Sequence, residues 1–307
     1  MRILSKNGRP ELAQVYVAEM RGSPDYLVEF VDACDQNIGD RRKKWVIVVS
    51  CQFGCPVNCL MCDAGGYYRG NLTVEEMMEQ VEQVVAGHAI RPADCSKFKV
   101  QFARMGEPAL NEEVLRALEL LHKRFPNVLP CIATIAPEGS QKWFEKLLDL
   151  RDRFNNFQLQ FSLNTTDAKL RDRLMLFPKL SWDWMAGYGE RFIRPGQRKP
   201  VLNFALCPDW PVEAEVVKEV FSPEVFAIKL TVLNPTETGR KNGLAPIERY
   251  EQAKEEVCRK ASEFVAFNYE VIRSVGNMEE NEFGSNCGQA IRKMKTQSHL
   301  GSNSQSP

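Results

Sequence analysis

The sequence predicts an α/β fold built on a parallel sheet, and three observations predict it. Between residues 45 and 273 short β-rich runs alternate with amphipathic helical stretches, the pattern of repeated βα units. The helical stretches carry start signals of their own, and the composition is that of an ordinary globular chain. The first 44 residues differ in kind. There, Gln14 to Glu19 and Tyr26 to Val31 read as two strands joined by the turn-rich Arg21-Gly22-Ser23-Pro24-Asp25, a β-hairpin extension ahead of the main domain.

Taken in order, the main-domain strands are Trp45 to Val49, Phe98 to Ala103, Leu129 to Ile135, Phe157 to Leu163, Val201 to Leu206 and Phe226 to Leu233, with Tyr269 to Arg273 as a late addition. In the fourth, Phe157, Leu159, Phe161 and Leu163 alternate strictly with polar residues. Thr73-Val74-Glu75-Glu76 is a capping box, preceded by Leu72, which can staple onto Met77. Val74, Met77, Met78, Val81, Val84 and Val85 then mark one helix face. A second helix opens at Asn111, carries Val114, Leu118, Leu121 and Phe125 on one stripe, and stops before Pro126. A third runs from Pro246 to about Val265. The main domain is expected over 45–295, with a polar, Ser-rich and disordered tail over 296–307.

The chain has 307 residues, with 40 Lys and Arg against 40 Asp and Glu, and 44% of its residues are hydrophobic. It can bury a substantial core, but it lacks the basic excess of a typical nucleic-acid binder, so any RNA contact must come from local patches. Candidate patches are Arg41-Arg42-Lys43-Lys44, then Arg191 with Arg194, Arg198 and Lys199, and Arg292-Lys293-Met294-Lys295; each reads equally well as a solvated face. No run approaches the roughly 18 apolar residues of a membrane span, and the start lacks a secretory leader; a cytoplasmic protein with no membrane partner is expected. His88, His122 and His299 show no metal or triad pattern. Trp182, Trp184, Tyr188 and Phe192 could stack a base, although core packing is the commoner use.

Ten cysteines in a reducing compartment point to metal or redox chemistry where they cluster. The cluster is Cys55-Pro56-Val57-Asn58-Cys59-Leu60-Met61-Cys62, directly after the first main-domain strand. Three thiolates on one loop suit a [4Fe–4S] cluster with one iron left open to a small molecule; chance clustering of buried free cysteines and a zinc site completed from elsewhere are the alternatives.

This C-x3-C-x2-C loop resembles the hallmark of the radical S-adenosylmethionine (SAM) superfamily, whose fold is a partial (βα)6 barrel. The resemblance implies that Cys55, Cys59 and Cys62 bind the cluster, that SAM chelates the fourth iron, and that one electron cleaves it to a 5′-deoxyadenosyl radical. It implies a one-electron donor such as flavodoxin or ferredoxin. Met105-Gly106-Glu107-Pro108 stands where the superfamily has a Gly-Glu motif, so Gly106 and Glu107 become SAM-binding candidates, the carboxylate facing the methionyl ammonium.

From about Trp45 to Gln289 the details resemble the RlmN and Cfr RNA methyltransferases, which methylate an adenine base. Val49-Ser50-Cys51-Gln52-Phe53-Gly54-Cys55 is similar to their V-S-S-Q-x-G-C, and Met105 to Asn111 to their M-G-E-P-L-x-N. Ser162-Leu163-Asn164 with Leu170-Arg171-Asp172 resembles S-L-H and L-R-D, with Asn164 in place of His. Leu233-Asn234-Pro235 resembles F-N-P. Ser162 and Asn234 are thereby implied as SAM contacts. Asn286-Cys287-Gly288-Gln289 resembles A-C-G-Q, in which the cysteine is methylated by one SAM before a second generates the radical that moves the methyl to the base; Cys287 is the implied methyl carrier. The family's resolving cysteine falls at Val48 here, and Cys51, the nearest substitute, sits at an odd offset and should face the other way. Cys34, Cys95, Cys131, Cys207 and Cys258 have no motif around them and read as structural. The family carries a longer accessory domain ahead of the barrel than the roughly 45 residues found here, so reduced RNA recognition is expected. Two other readings share the sequence: a radical SAM enzyme acting without methyl transfer on a nucleotide, small molecule or peptide, and a non-catalytic iron–sulfur or zinc protein.

Overall fold

Period-two alternation decides which side of the sheet meets the helices. A computed structural model of the chain describes residues 1–34, 39–286, 290–292 and 294. In chain order its elements are β1 Arg2–Arg9, β2 Ala13–Glu19, β3 Leu27–Cys34, β4 Trp45–Val49, β5 Gln52–Gly54, β6 Tyr68–Asn71, α1 Val74–Ala86, β7 Phe98–Phe102, α2 Glu113–Arg124, β8 Val128–Thr134, α3 Gln141–Arg151 and β9 Gln158–Ser162. There follow α4 Ala168–Leu174, α5 Trp182–Phe192, β10 Val201–Leu206, α6 Ala214–Val220, β11 Ala227–Val232, α7 Glu237–Lys241, α8 Tyr250–Ala266, β12 Glu270–Ser274 and α9 Glu280–Phe283. Ten strands form one sheet in the order β1-β2-β3-β4-β7-β8-β9-β10-β11-β12, parallel from β4 onward. The six predicted strands and the late addition are all present, which makes a partial (βα)6 barrel continued by β12.

On one face Trp45, Ile47, Val49, Phe98, Val100, Phe102, Leu159, Phe161, Phe204 and Leu230 share a single core with the helices. The residues between them, Lys99, Gln101, Gln160, Ser162, Asn203, Lys229 and Thr231 among others, occupy the opposite, polar face. Parallel strands buried on both sides usually read as continuous apolar runs. Here the alternation survives because the second face borders a cavity rather than a packed layer.

The capping box is formed: Thr73 Oγ1 accepts from Glu76 N at 3.3 Å, and Thr73 N donates to Glu76 Oε2 at 2.9 Å. The second helix starts two residues later than its cap, with Asn111 Oδ1 accepting from Glu113 N. The third begins at Tyr250 rather than at Pro246.

The N-terminal region departs from expectation. It is a three-stranded antiparallel ribbon, and β3 pairs with β4, Val31 opposite Val48, so the ribbon continues the barrel sheet. The strand that sequence reading missed, β1, is largely exposed and carries no apolar alternation; only ladder hydrogen bonds mark it. The expected tail, 296–307, lies outside the described residues. Among those described, no helix is long and apolar enough to cross a membrane.

Candidate metal and cofactor site

The cysteine loop is strapped to the sheet by backbone and side-chain hydrogen bonds on both flanks. Gly54 (φ +80°) ends β5 with the carbonyl of Tyr67 so close that a Cβ would stand 2.1 Å from it, and Cys55 N donates to that carbonyl at 3.1 Å. Leu60 N donates to Leu174 O at 2.9 Å, and Thr236 Oγ1 donates to Met61 O at 2.8 Å. The buried carboxylate of Asp63 accepts from Thr238 N at 2.8 Å and Glu237 N at 3.2 Å, where α7 begins. Val57 and the partly buried Cys55 and Cys59 pack with Ile135, Cys207 and Leu233. Each of those three follows the end of a strand, β8, β10 and β11, so the loop lies at the C-terminal ends of the parallel strands, where barrel folds carry their active sites.

The three thiols are half-buried and feel one another's charge. Burial first, then the neighbouring thiol of Cys62, pushes Cys55 up to about 12, and the same causes push Cys59 well above the ordinary thiol range. Left alone they stay protonated, and only a cationic centre would hold them as thiolates. Among the described residues no three His, Cys, Asp or Glu side chains converge as ligands of a single ion.

Gly106 (φ +100°) follows β7, and a Cβ there would meet Gln52 Cβ at 2.6 Å and Cys51 Sγ at 2.9 Å. The next residue, Glu107, is buried. Its backbone N–H donates to Gln52 Oε1 at 2.9 Å; its carboxylate accepts from Ala109 N at 3.1 Å, Ile135 N at 2.9 Å and the Thr134 hydroxyl. Burial nevertheless pushes this carboxyl up to about 7. Glu107 thus spends its hydrogen bonds on the β8 end, next to the cysteine loop. Ser162, half-buried, ends β9 on the polar face, opposite Asn203; Asn234, also half-buried, follows β11. Asn164 takes a left-handed φ of +66° and accepts from Ala205 N at 3.4 Å. Arg171 is buried, donates to Ile135 O at 3.3 Å, and leaves its Nε without a partner.

Cys287 lies outside the described residues. On one side of it, Arg104 donates to Ser285 O at 2.7 Å and also holds Gly284 O. On the other, Glu29 accepts from Ala290 N at 3.1 Å, while Arg292 donates to Asp63 O and Gly65 O, both at 2.9 Å. Arg104 and Glu29 themselves form a buried pair at 3.2 Å. None of this was legible in the sequence, because Glu29 and Arg104 are 75 residues apart and Arg104 and Ser285 are 181 apart. A cavity of about 460 Å³ runs beneath, lined by Cys62, Arg104, Ser285 and Asn286 at one end and Lys44 and Arg273 at the other. Val48 and Cys34 line it as well, so Cys34, which reads as merely structural, stands on a cavity wall. Cys51 is buried in the core with its thiol against Gly106 and the Met105 carbonyl, and it is not on the cavity wall with Val48.

Several of the other candidates have partners within the fold. Arg41, Trp45 and His88 all bind the buried Asp32, and Arg191 and Arg194 pair with Glu145 and Asp152. His122 packs edge-on to Phe154, and Trp184 stacks on Tyr188 within the aromatic core; His299 lies outside the described residues.

No family model matches the chain. It is 34% identical over 157 residues to a probable RNA methyltransferase of Ectopseudomonas mendocina, covering 48% of this chain and 40% of that protein. It is 34% identical over 151 residues to a probable dual-specificity RNA methyltransferase RlmN of Treponema pallidum, covering 48% and 41%. With the dual-specificity RNA methyltransferase RlmN of Geobacter sulfurreducens it shares 29% over 191 residues, 60% and 50% of the two chains. The chain therefore matches 40–50% of the length of these relatives. Among solved structures, Streptococcus suis SuiB bound to S-adenosylmethionine superposes with a TM-score of 0.53 at 13% identity, over 75% of this chain and 50% of that one. The chain is RlmN-like in sequence and has the partial-barrel fold of the radical SAM enzymes.

Proposed function

We propose that the chain is a radical SAM methyltransferase in which Cys55, Cys59 and Cys62 hold a [4Fe–4S] cluster, Gly106, Glu107, Ser162 and Asn234 border bound SAM, and Cys287 carries a methyl to an sp² carbon of an RNA adenine. The observation that carries this reading is the placement of three mutually close thiols at the C-terminal ends of the parallel strands. The sequence likeness to RNA methyltransferases supplies the substrate class.

Cluster and SAM together supply one-electron chemistry that no side chain provides. The chain supplies the rest. Asp63, Thr236 and the Leu174 carbonyl fix the loop, and Gly106 lets the backbone turn beneath it where a side chain would collide. Glu107 orders the neighbouring strand end, and Ser162 and Asn234 offer polar groups along the same rim. Arg104, Glu29 and Arg292 fasten the chain on both sides of residues 287–289 beside that loop. A cysteine thiolate is both a strong nucleophile toward a sulfonium methyl and a competent leaving group, the two properties methyl relay requires. Electrons are to come from a one-electron donor such as flavodoxin or ferredoxin, in the cytoplasm.

Peptide mass mapping after anaerobic reconstitution with methyl-deuterated SAM tests the relay. A labelled methyl group on Cys287 is expected. An unmodified Cys287 in protein that still cleaves SAM would assign the site to a different radical reaction.

A further inference from the structure

The polar face of the sheet carries charges that the cysteine-loop chemistry does not use. Phe98, Val100 and Phe102 turn to the helices, which sends Lys99 to the other face with Gln101, a cavity-lining residue. Ile228 and Leu230 do the same for Lys229. Among the described residues neither ammonium has a hydrogen bond or a carboxylate partner, and the charge that Lys229 feels most is the cation Lys99, followed by the Cys131 thiol and Lys44. Burial and those two lysines push Lys229 down to about 8. Lys44 and Arg273 line the cavity itself. Close by on β9, Gln160 donates to Cys131 Sγ at 3.2 Å and leaves its buried Oε1 without a partner; exchange of the two amide ends would turn the NH2 the same way.

An enclosed, unpaired cation costs several kcal/mol, and a methionine would fill the same space without that cost. Two half-buried lysines on the polar face of one sheet, Lys99 opposite the cavity-lining Val46, adjoin a cavity whose wall carries Lys44 and Arg273 and one carboxylate, Glu280, and together they make a positive local field. What relieves it is a compact multivalent anion, because a phosphate monoester presents nearly two charges and several acceptor oxygens where a carboxylate presents one charge. About 460 Å³ is the volume of a small-molecule site, too narrow for folded RNA.

We propose that the lumen binds a small phosphorylated molecule, its phosphoryl group held by Lys99 and Lys229 with Lys44 beside them. Lys44 precedes β4 and Lys99 is the second residue of β7, so the phosphate sits at the N-terminal ends of the strands. The rest of the ligand then extends along Val46, Val48 and Gln101 toward Cys62. The inference stands on strand alternation and on the missing counter-charges of Lys99 and Lys229, independently of whether Cys287 carries a methyl.

Thermal unfolding and phosphorus NMR of the full chain, titrated with inorganic phosphate at constant ionic strength, test it against Lys99→Met and Lys229→Met. Saturable phosphate binding is expected in the parent protein. Each variant should melt higher than the parent without phosphate and bind phosphate at least about tenfold more weakly. Phosphate binding unchanged in both variants, or no binding beyond that of chloride, would overturn the proposal. So would an oligoribonucleotide that needs both lysines while inorganic phosphate fails to bind. Should one variant not fold, the other and the parent titration still decide.

Discussion

Gly106 leaves no room for a side chain beside Glu107. Its positive φ and the 2.6 Å approach to Gln52 make Gly106→Ala doubly unfavourable. We expect a loss of about 2–4 kcal/mol in urea unfolding, and a change within about 0.5 kcal/mol would refute the packing described. Lys229 makes a prediction in pH. Unfolded, its ammonium titrates near 10.5; folded, at about 8. Between those values the unfolded chain holds a proton that the folded one lacks, so stability should rise with pH across about 8 to 10.5. Lys99, Lys44 and Cys131 are the titratable groups that act on it. Unfolding free energies measured over that range should show the rise in the parent and a flatter profile in Lys229→Met; identical profiles would mean that Lys229 finds an anionic partner within the fold.

At the scale of elements, the buried pair Glu29–Arg104 joins β3, the end of β7 and the C-terminal segment. Removing one partner leaves the other charge buried. Arg104→Met should therefore cost about 3–5 kcal/mol, and adding Glu29→Leu should recover part of it, a coupling that a double-mutant cycle measures directly. Additive losses would show that the pair is not coupled. This scale also divides what the sequence discloses from what it hides. Phe98-Lys99-Val100-Gln101-Phe102 displays the two faces of β7 by alternation, and Thr73 with Glu76 displays a helix start, because both signals are local. The cysteine loop is legible for the same reason. The strand β1 is not, since its exposed residues show no pattern. Asp63 on the start of α7 and Glu29 against Ala290 are long-range pairings between residues that are unremarkable singly.

For the whole molecule, the N-terminal ribbon is part of the same sheet as the barrel, and it supplies Glu29, Val31 and Cys34 to the site and its cavity. It also covers the edge of β4, which would otherwise present unpaired backbone groups to solvent. The account as a whole depends on the three thiols at the strand ends. The most direct measurement is iron, sulfide and zinc content of anaerobically reconstituted protein, together with reductive SAM cleavage, in the parent and in Cys55→Ala, Cys59→Ala and Cys62→Ala. About four irons per chain with 5′-deoxyadenosine formed, both lost in every variant, is the predicted result. Zinc in place of iron, or cleavage that survives any of the three substitutions, would contradict it.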